Sequence, residues 1–459
     1  MKALKMNKLS VKLGLVVAVA ALWSSPAIVG SLTQGVLPAI GSVQAEEKKK
    51  TRKVPAMRER TYKTLSEAQI LIDPDSIPLE EGQTRPDVQA DPQEAISILN
   101  KLRESRGVNS YELAQIWNTM AFAYYTLDDV PNTLVAYENV LKQEITEALE
   151  LSTLRALFQL YYSKEEYKKA IGYMDRWEVL RGEPDAGITF IRATAYYQLE
   201  DFDNALKQAL AVERIALANE KEIKETWWYL QVVIYNELKD TDSVINVLEK
   251  MIVVYPKKQY WMHLAGMYAE KGQEDKSLSA YYAAYSQGLF EKESEIVMLA
   301  QRLLNAAVPF EAAQILEKGF KSKVVTKDEK NAKLLATAYT MSQDMSKAID
   351  AWRDAAAYSN DATLYYRLAQ ALSNEDRHKE AVVAYKQALD AGIDEDDVAD
   401  VYFWRGISLM QLEDWAPATE SFRKAAEDKD KEKSARRYIK YIAGEKRRQA
   451  ALREMLSGS

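Results

Sequence analysis

Apolar residues recur at intervals of three or four positions along most of the chain, which is the spacing of one face of an α-helix. The clearest example is a pair of segments on either side of Gly272. Small or apolar residues mark the two faces at Trp261, Leu264, Ala265, Tyr268, Ser277, Tyr281 and Ala284. Small residues let two helices approach closely, and aromatic residues fill the space between neighbouring pairs. The pattern therefore predicts a helical hairpin.

The same pair of segments repeats along the chain. The small residue of the second segment falls at positions 133, 170, 205, 244, 277, 312, 348, 381 and 418, so neighbouring copies are 33 to 39 residues apart. Repeats of this length are supersecondary units that bury their apolar faces by stacking on one another. We therefore expect an all-α, right-handed α-solenoid, with a concave face made by the first helix of each hairpin.

Over roughly residues 92–428 this pattern resembles the tetratricopeptide (TPR) repeat, whose first helix carries Trp, Leu, a small residue and Tyr. The resemblance implies a scaffold that binds other proteins, not an enzyme. Counting from the repeat, the groove-facing positions form a strip of aromatic rings with occasional amides, at Asn118, Phe122, Tyr125, Tyr162, Phe190, Tyr197, Tyr229, Asn236, Tyr366 and Phe403. Such a strip suits an extended peptide or a helix. The alternative is that many of these rings pack between helices.

The first 45 residues have the pattern of a secretory signal. Four lysines and no acid precede or begin a short apolar core at residues 13–23, and Val43-Gln44-Ala45 fits a cleavage site. The apolar core is shorter than the roughly 20 residues of a transmembrane helix. We expect export to a bacterial periplasm with cleavage after Ala45. The alternative is an uncleaved inner-membrane anchor that extends through Ile40.

The rest of the chain divides into four predicted segments. Residues 46–57 are a basic arm, which is either solvated or in contact with anionic lipid or an acidic partner, as in peripheral inner-membrane association. Residues 58–104 are an N-terminal capping repeat, interrupted by a proline-rich insertion at 73–91. Residues 105–428 are the solenoid. Residues 429–459, with ten basic residues against four acids, are a closing helix. This helix caps the last apolar edge, docks a partner, or does both.

The composition argues against most chemistry. There is no cysteine and there are only two histidines, His263 and His378, in separate repeats, so no zinc ligand set is visible. The acids at 394–397 lack the alternation of a calcium loop. Loss of residues 1–45 would change the formal charge from −7 to −11, because four lysines leave, and a chain this acidic is a poor candidate for nucleic acid. We expect no metal, no cofactor and no catalytic site.

A narrower resemblance lies at the two ends. The sequence at 58–69, RERTYKTLSEAQ, resembles the start of periplasmic TPR proteins that accompany TonB systems, and ARRYIKYI at 435–442 is similar to their closing helix. This resemblance implies an accessory role with TonB, ExbB and ExbD in energised uptake at the outer membrane. The alternative function is a scaffold for envelope polysaccharide export or outer-membrane protein assembly.

Overall fold

The computed structural model describes residues 52–74 and 89–457. The predicted signal at 1–45, the start of the basic arm and most of the 73–91 insertion lie outside the described residues. Within them every regular element is an α-helix, and the expected all-α architecture of tandem TPR-like hairpins is confirmed. No helix in this part of the chain combines the length and apolarity that crossing a bilayer requires.

Contacts divide the chain into two compact units, residues 1–247 and 248–459, and each is described separately. The first contains α1 (Glu59–Ile72), α2 (Pro92–Arg103), α3 (Ser110–Thr126), α4 (Val130–Val140), α5 (Glu147–Ser163), α6 (Tyr167–Arg181), α7 (Ala186–Gln198), α8 (Phe202–Ala218) and α9 (Glu225–Glu237), and ends within α10 (Thr241–Val254). The second continues with α11 (Lys258–Glu270), α12 (Glu274–Ser286), α13 (Glu293–Asn305), α14 (Pro309–Lys321), α15 (Glu329–Met341), α16 (Met345–Ser359), α17 (Ala362–Asn374), α18 (His378–Asp390), α19 (Glu395–Gln411), α20 (Trp415–Ala425) and α21 (Lys429–Ser457).

The turn inside each regular hairpin has one residue in the left-handed conformation. In the first of these turns, the Asp128 amide donates to the Tyr125 carbonyl (3.0 Å) and the Asp129 amide to the Tyr124 carbonyl (2.9 Å). This is the bonding of a Schellman helix end, which satisfies carbonyls that the helix leaves open. The left-handed residues are Asp128, Glu165, Glu200, Lys239, Gly272, Ala307, Gln343, Asp376 and Glu413.

Each left-handed residue lies five positions before the small residue that was predicted to pack the hairpin. All nine of those small residues have no exposed surface. The predicted register of the regular repeats is therefore confirmed at the packing level. It also explains why the second helix of every hairpin starts at the same offset from its turn.

Neighbouring hairpins are joined by a recurring tyrosine. In the first unit Tyr161 donates its hydroxyl to Glu138 of the preceding hairpin (2.5 Å), and the ammonium of Lys169 lies 4.9 Å from the ring centroid. The hydrogen bond satisfies the polar tip of a ring whose body is buried. The same arrangement recurs in the second unit at Tyr268, Glu249 and Lys276.

Both ends of the array are closed. At the first hairpin, the buried carboxylate of Glu112 on α3 binds Arg58 and Thr61, which lie at the start of α1. At the last hairpin, Ala435 and Ile442 of α21 are buried against α20 and its neighbours. The arm residue Arg52 pairs with Glu150 of α5 (2.5 Å), so this basic residue contacts an acid of the chain itself.

Candidate protein-binding site

All ten residues predicted to face the groove lie on the first helix of a hairpin. Helix α3 carries Asn118, Phe122 and Tyr125, α5 carries Tyr162, α7 carries Phe190 and Tyr197, α9 carries Tyr229 and Asn236, α17 carries Tyr366, and α19 carries Phe403. They differ in how much surface they offer. The helix assignment follows from the repeat, whereas exposure depends on what the neighbouring helices place beside each ring.

Three of the eight rings among these ten residues are core residues, which corrects the prediction that they supply contact area for a ligand. Tyr162, Phe190 and Tyr366 are only 8%, 5% and 7% exposed. The Tyr162 hydroxyl donates to Thr194 on the next first helix (3.0 Å), and burial raises the pKa of Tyr162 to about 12. Tyr366 packs against Tyr385 at 6.1 Å between centroids. For these three, packing between helices is the correct interpretation.

Phe403 is half-buried and also serves packing. Its ring meets Phe422 of α20 and Tyr438 of α21 edge-on, at 5.6 and 5.7 Å between centroids. Lys431 lies 5.9 Å from the same ring. The ring is therefore occupied by the closing helix, and a ligand would have to compete with that contact.

Three of the predicted residues, all on α3, remain at least partly exposed to solvent. Tyr125 is 40% exposed, and Asn118 and Phe122 are half-buried. Phe122 packs against the core of the first hairpins, which includes Ile116 and Met120. Of this group, only the Tyr125 ring presents a large exposed aromatic surface.

The most complete cluster lies on α7 and α9, the first helices of successive hairpins. The Tyr197 hydroxyl on α7 donates to Glu237 Oε1 on α9 (3.4 Å). The ring of Tyr197 lies 5.7 Å from that of Phe202, at an interplanar angle of 55°. Tyr229 lies near enough to influence the ionisation of Tyr197, and Asn236, the residue before the last one of α9, is exposed. We call Tyr197, Tyr229, Asn236 and Glu237 the tyrosine seam.

The electrostatics of the tyrosine seam suit hydrogen bonding, not proton transfer. Burial, and next the neighbouring carboxylate of Glu237, raise the pKa of Tyr197 to about 12. Burial also raises the pKa of Tyr229. Both phenols are therefore neutral donors at neutral pH. A half-buried ring pair, an amide and a carboxylate can bind a peptide by stacking and by hydrogen bonds to its backbone.

The described residues contain no group of three or more His, Asp or Glu side chains placed to hold a metal ion. His263 is half-buried on α11, and burial lowers its pKa. His378 begins α18 with Nε2 3.5 Å from Asp376. These two histidines belong to different hairpins, as their separation in sequence indicated.

Two contacts in the structure were not predicted from the sequence. Glu237 is forty residues from Tyr197 along the chain, and it joins the tyrosine seam only because α9 packs beside α7. Glu112 was also missed, although Asn109 three residues earlier forms a capping box with it. The capping box is a recognisable sequence signal, but the contact with Arg58, 54 residues away, is not.

Comparison with known proteins supports the repeat assignment in one hairpin. The tetratricopeptide repeat family model matches residues 362–391, which span α17 and α18. No curated protein matches the chain. The matched hairpin is one of the TPR-like hairpins that make the described residues an α-solenoid.

Several solved structures are similar over part of the chain. YrrB, a TPR protein with an unusual peptide-binding site, is 16% identical, covers 42% of this chain and 97% of its own, and has a TM-score of 0.33. A tetratricopeptide repeat protein from Parabacteroides merdae is 14% identical over 61% of this chain and 99% of its own, with a TM-score of 0.33. The TPR2AB domain of yeast Sti1, in a complex with pHSP90, is 16% identical over 64% and 96%, with a TM-score of 0.25.

Proposed function

We propose that this chain is a periplasmic scaffold that binds a protein partner at the tyrosine seam, as an accessory of a TonB, ExbB and ExbD complex. The observation that carries the binding role is the seam itself. Two half-buried phenols, an exposed amide and a carboxylate lie together on the first helices of two successive hairpins. Rigid aromatic rings flanked by hydrogen-bonding groups are typical of binding hot spots.

The choice of partner rests on the resemblance of the two ends to TPR proteins of TonB systems. The residues at those ends are structural. Arg58 and Thr61 bind the buried Glu112, and Tyr438 stacks on Phe422 at 5.1 Å. The periplasmic location rests on the signal-like pattern at 1–45. N-terminal sequencing of the cell-expressed protein tests export, and a mature chain that begins at Glu46 is the expected result.

Site-specific photocrosslinking in cells tests the partner. A benzoylphenylalanine introduced at Tyr229 or Asn236 is expected to crosslink to ExbB, ExbD or TonB. The matched control is the same residue at Leu217, which is 61% exposed on a second helix, α8. In the purified system, Tyr229→Ala should weaken capture of the crosslinked partner about tenfold, as for a typical aromatic anchor.

The two parts of the proposal fail separately. Equal crosslinking from Leu217 and from Tyr229 would remove the tyrosine seam as the binding site. Crosslinks from the seam to components of polysaccharide export or outer-membrane protein assembly would keep the seam, but would replace TonB by the alternative partner class.

A further inference from the structure

A second surface of interest lies in the second unit, around the end of α14. An open depression of about 770 Å³ is formed by α14, the segment 322–328 and α15. Its apolar floor is provided by Phe320 and Leu335, and three lysines, Lys318, Lys321 and Lys327, line it. A smaller recess of about 50 Å³ shares the floor and extends to Tyr358 of α16. We call this surface the lysine groove.

The wall of the lysine groove is fixed by internal contacts. Val325 in the segment 322–328 is only 2% exposed and packs so closely on Gly319 that a Cβ there would lie 2.5 Å from a Val325 methyl. Thr326 donates its hydroxyl to Glu293 (2.9 Å), and the Asn331 amide donates to the same carboxylate (2.7 Å). A preformed wall needs little ordering when a ligand binds, which lowers the entropic cost of association.

The charge of the lysine groove is opposite to that of the whole chain. The sequence 318–333 contains six lysines and two acids, in a chain whose formal charge is −7. None of Lys318, Lys321 and Lys327 forms an ion pair with a carboxylate of the described residues. Lys318 lies 5.5 Å from the ring of Tyr285, and Lys327 lies 6.0 Å from that of Phe320. The ammonium groups of Lys318 and Lys327 therefore lie near aromatic rings, and no carboxylate of the described residues pairs with them.

We infer that the lysine groove docks an acidic segment of a partner protein. One apolar side chain of that segment sits on Phe320 and Leu335, and its flanking carboxylates reach the three lysines. Charge complementarity across a surface selects the partner and speeds its approach. The inference concerns a surface in the second unit and does not depend on the tyrosine seam.

Two other polyanions fit the lysine groove less well. A lipid surface is bound by apolar side chains that project outwards, whereas Phe320 and Leu335 form the floor of a depression. A nucleic acid would bring a continuous row of phosphates against Glu317 and Asp354, which line the same surface. A peptide can place its acids beside the lysines and away from those two carboxylates.

Fluorescence anisotropy with the purified full-length chain tests the inference. The probe is a pool of labelled peptides in which a single Leu or Phe is flanked by Glu and Asp. Combining Lys318→Gln, Lys321→Gln and Lys327→Gln should weaken binding of the pool by about tenfold, since each exposed charge contact contributes modestly. The matched control combines Lys379→Gln, Lys433→Gln and Lys440→Gln, which removes the same charge from exposed lysines elsewhere in the unit. The control should change the affinity by less than about twofold.

A second variant and two competitors complete the test. Tyr358→Ser, at a half-exposed position in the recess, should weaken binding by about threefold without touching a charge. Equal losses in the two triple variants would overturn the inference, as would absence of binding to the unmodified chain. Lysine-dependent binding of anionic phosphatidylglycerol vesicles or of duplex DNA, in place of the peptide pool, would overturn it in favour of those ligands.

Discussion

At the first hairpin a buried carboxylate holds neighbouring helices together, whereas at the last hairpin the same task falls to aromatic rings. Glu112 has no exposed surface and accepts hydrogen bonds from the Arg58 backbone (2.8 Å), the Arg58 guanidinium (2.9 Å) and the Thr61 hydroxyl (2.7 Å). Phe422 is equally buried, and it stacks on Tyr438 at 5.1 Å with an interplanar angle of 9°.

The two ends of the array therefore respond to different perturbations. A buried carboxylate is stable only while all its donors are present, because an unpaired buried charge is costly. An apolar contact depends on volume and shape, because its energy comes from removing surface from water and from close packing. The comparison indicates that an open repeat edge can be sealed by either type of contact, with different sensitivity to charge and pH.

The largest expected effect comes from Phe422→Ala. The ring fills the space over Gly406, where a Cβ would lie 3.0 Å from it, so truncation leaves a cavity that the backbone of α19 cannot fill. We expect a loss of about 4 kcal/mol in the free energy of unfolding of the last hairpin. The chain has no cysteine, so a dye on Tyr441→Cys, at an exposed position of α21, reports this end in a urea titration.

A second dye makes the result specific. This dye is attached through Tyr62→Cys, at an exposed position of α1. In Phe422→Ala it should report an almost unchanged urea midpoint, because repeats couple chiefly to their neighbours. Val383→Ala, at an exposed position of α18, is the matched truncation and should cost less than about 0.5 kcal/mol at either dye. A loss at Tyr62→Cys as large as that at Tyr441→Cys would contradict a local role for Phe422.

The next effect in size is that of Glu112→Gln. The substitution keeps the volume but removes the charge and turns an acceptor into a donor that faces Arg58 and Asn109. We expect a loss of about 3 kcal/mol at the Tyr62→Cys dye and little change at Tyr441→Cys. Glu67→Gln, on the exposed side of α1, is the control and should be nearly neutral. If the two substitutions cost the same, the carboxylate does not hold the first hairpin.

The sequence was sufficient to predict the hairpins and their register. Periodicity identifies which face of a helix is apolar. A small residue on that face marks where the two helices of a hairpin pack closely, as at the buried Ala170 and Ala381. It did not separate Tyr162 from Tyr197, which lie on equivalent first helices. The Tyr162 hydroxyl meets Thr194 and its ring is buried, whereas the Tyr197 hydroxyl meets Glu237 at the end of α9 and its ring stays partly exposed. Those neighbours come from another hairpin.

The turns illustrate the same limit. Glycine is the usual signal for a left-handed residue after a helix. Of the nine hairpin turns, however, only one has glycine at the left-handed position, at Gly272. Residues such as Glu200 and Lys239 adopt this conformation against their own preference, at about 1 kcal/mol each. The Schellman hydrogen bonds and the packing of the following helix compensate for that cost. Local sequence preference alone therefore misses turns that the repeat spacing predicts.

The smallest expected effect is the response of the first hairpin to acid. Burial alone would raise the pKa of Glu112, but the hydrogen bonds from Arg58, Asn109 and Thr61 together outweigh it and lower the pKa from an ordinary value of 4.5 to about 2. Because the folded-state pKa is the lower one, the stabilisation is complete above about pH 5 and is lost as the pH falls towards 2. At about pH 3, the free energy of unfolding reported by the Tyr62→Cys dye should be lower by roughly 2 kcal/mol than at neutral pH.

The variant Glu112→Gln supplies the reference for this measurement, because glutamine cannot titrate. The difference in urea midpoint between the unmodified chain and Glu112→Gln should shrink as the pH falls from neutral to about 3, and most of the change should occur below about pH 4.5. A difference that stays constant over this range would mean that Glu112 keeps an ordinary pKa. The contrast between a charged and an apolar seal would then reduce to one of packing, since neither end would respond to acid through a buried carboxylate.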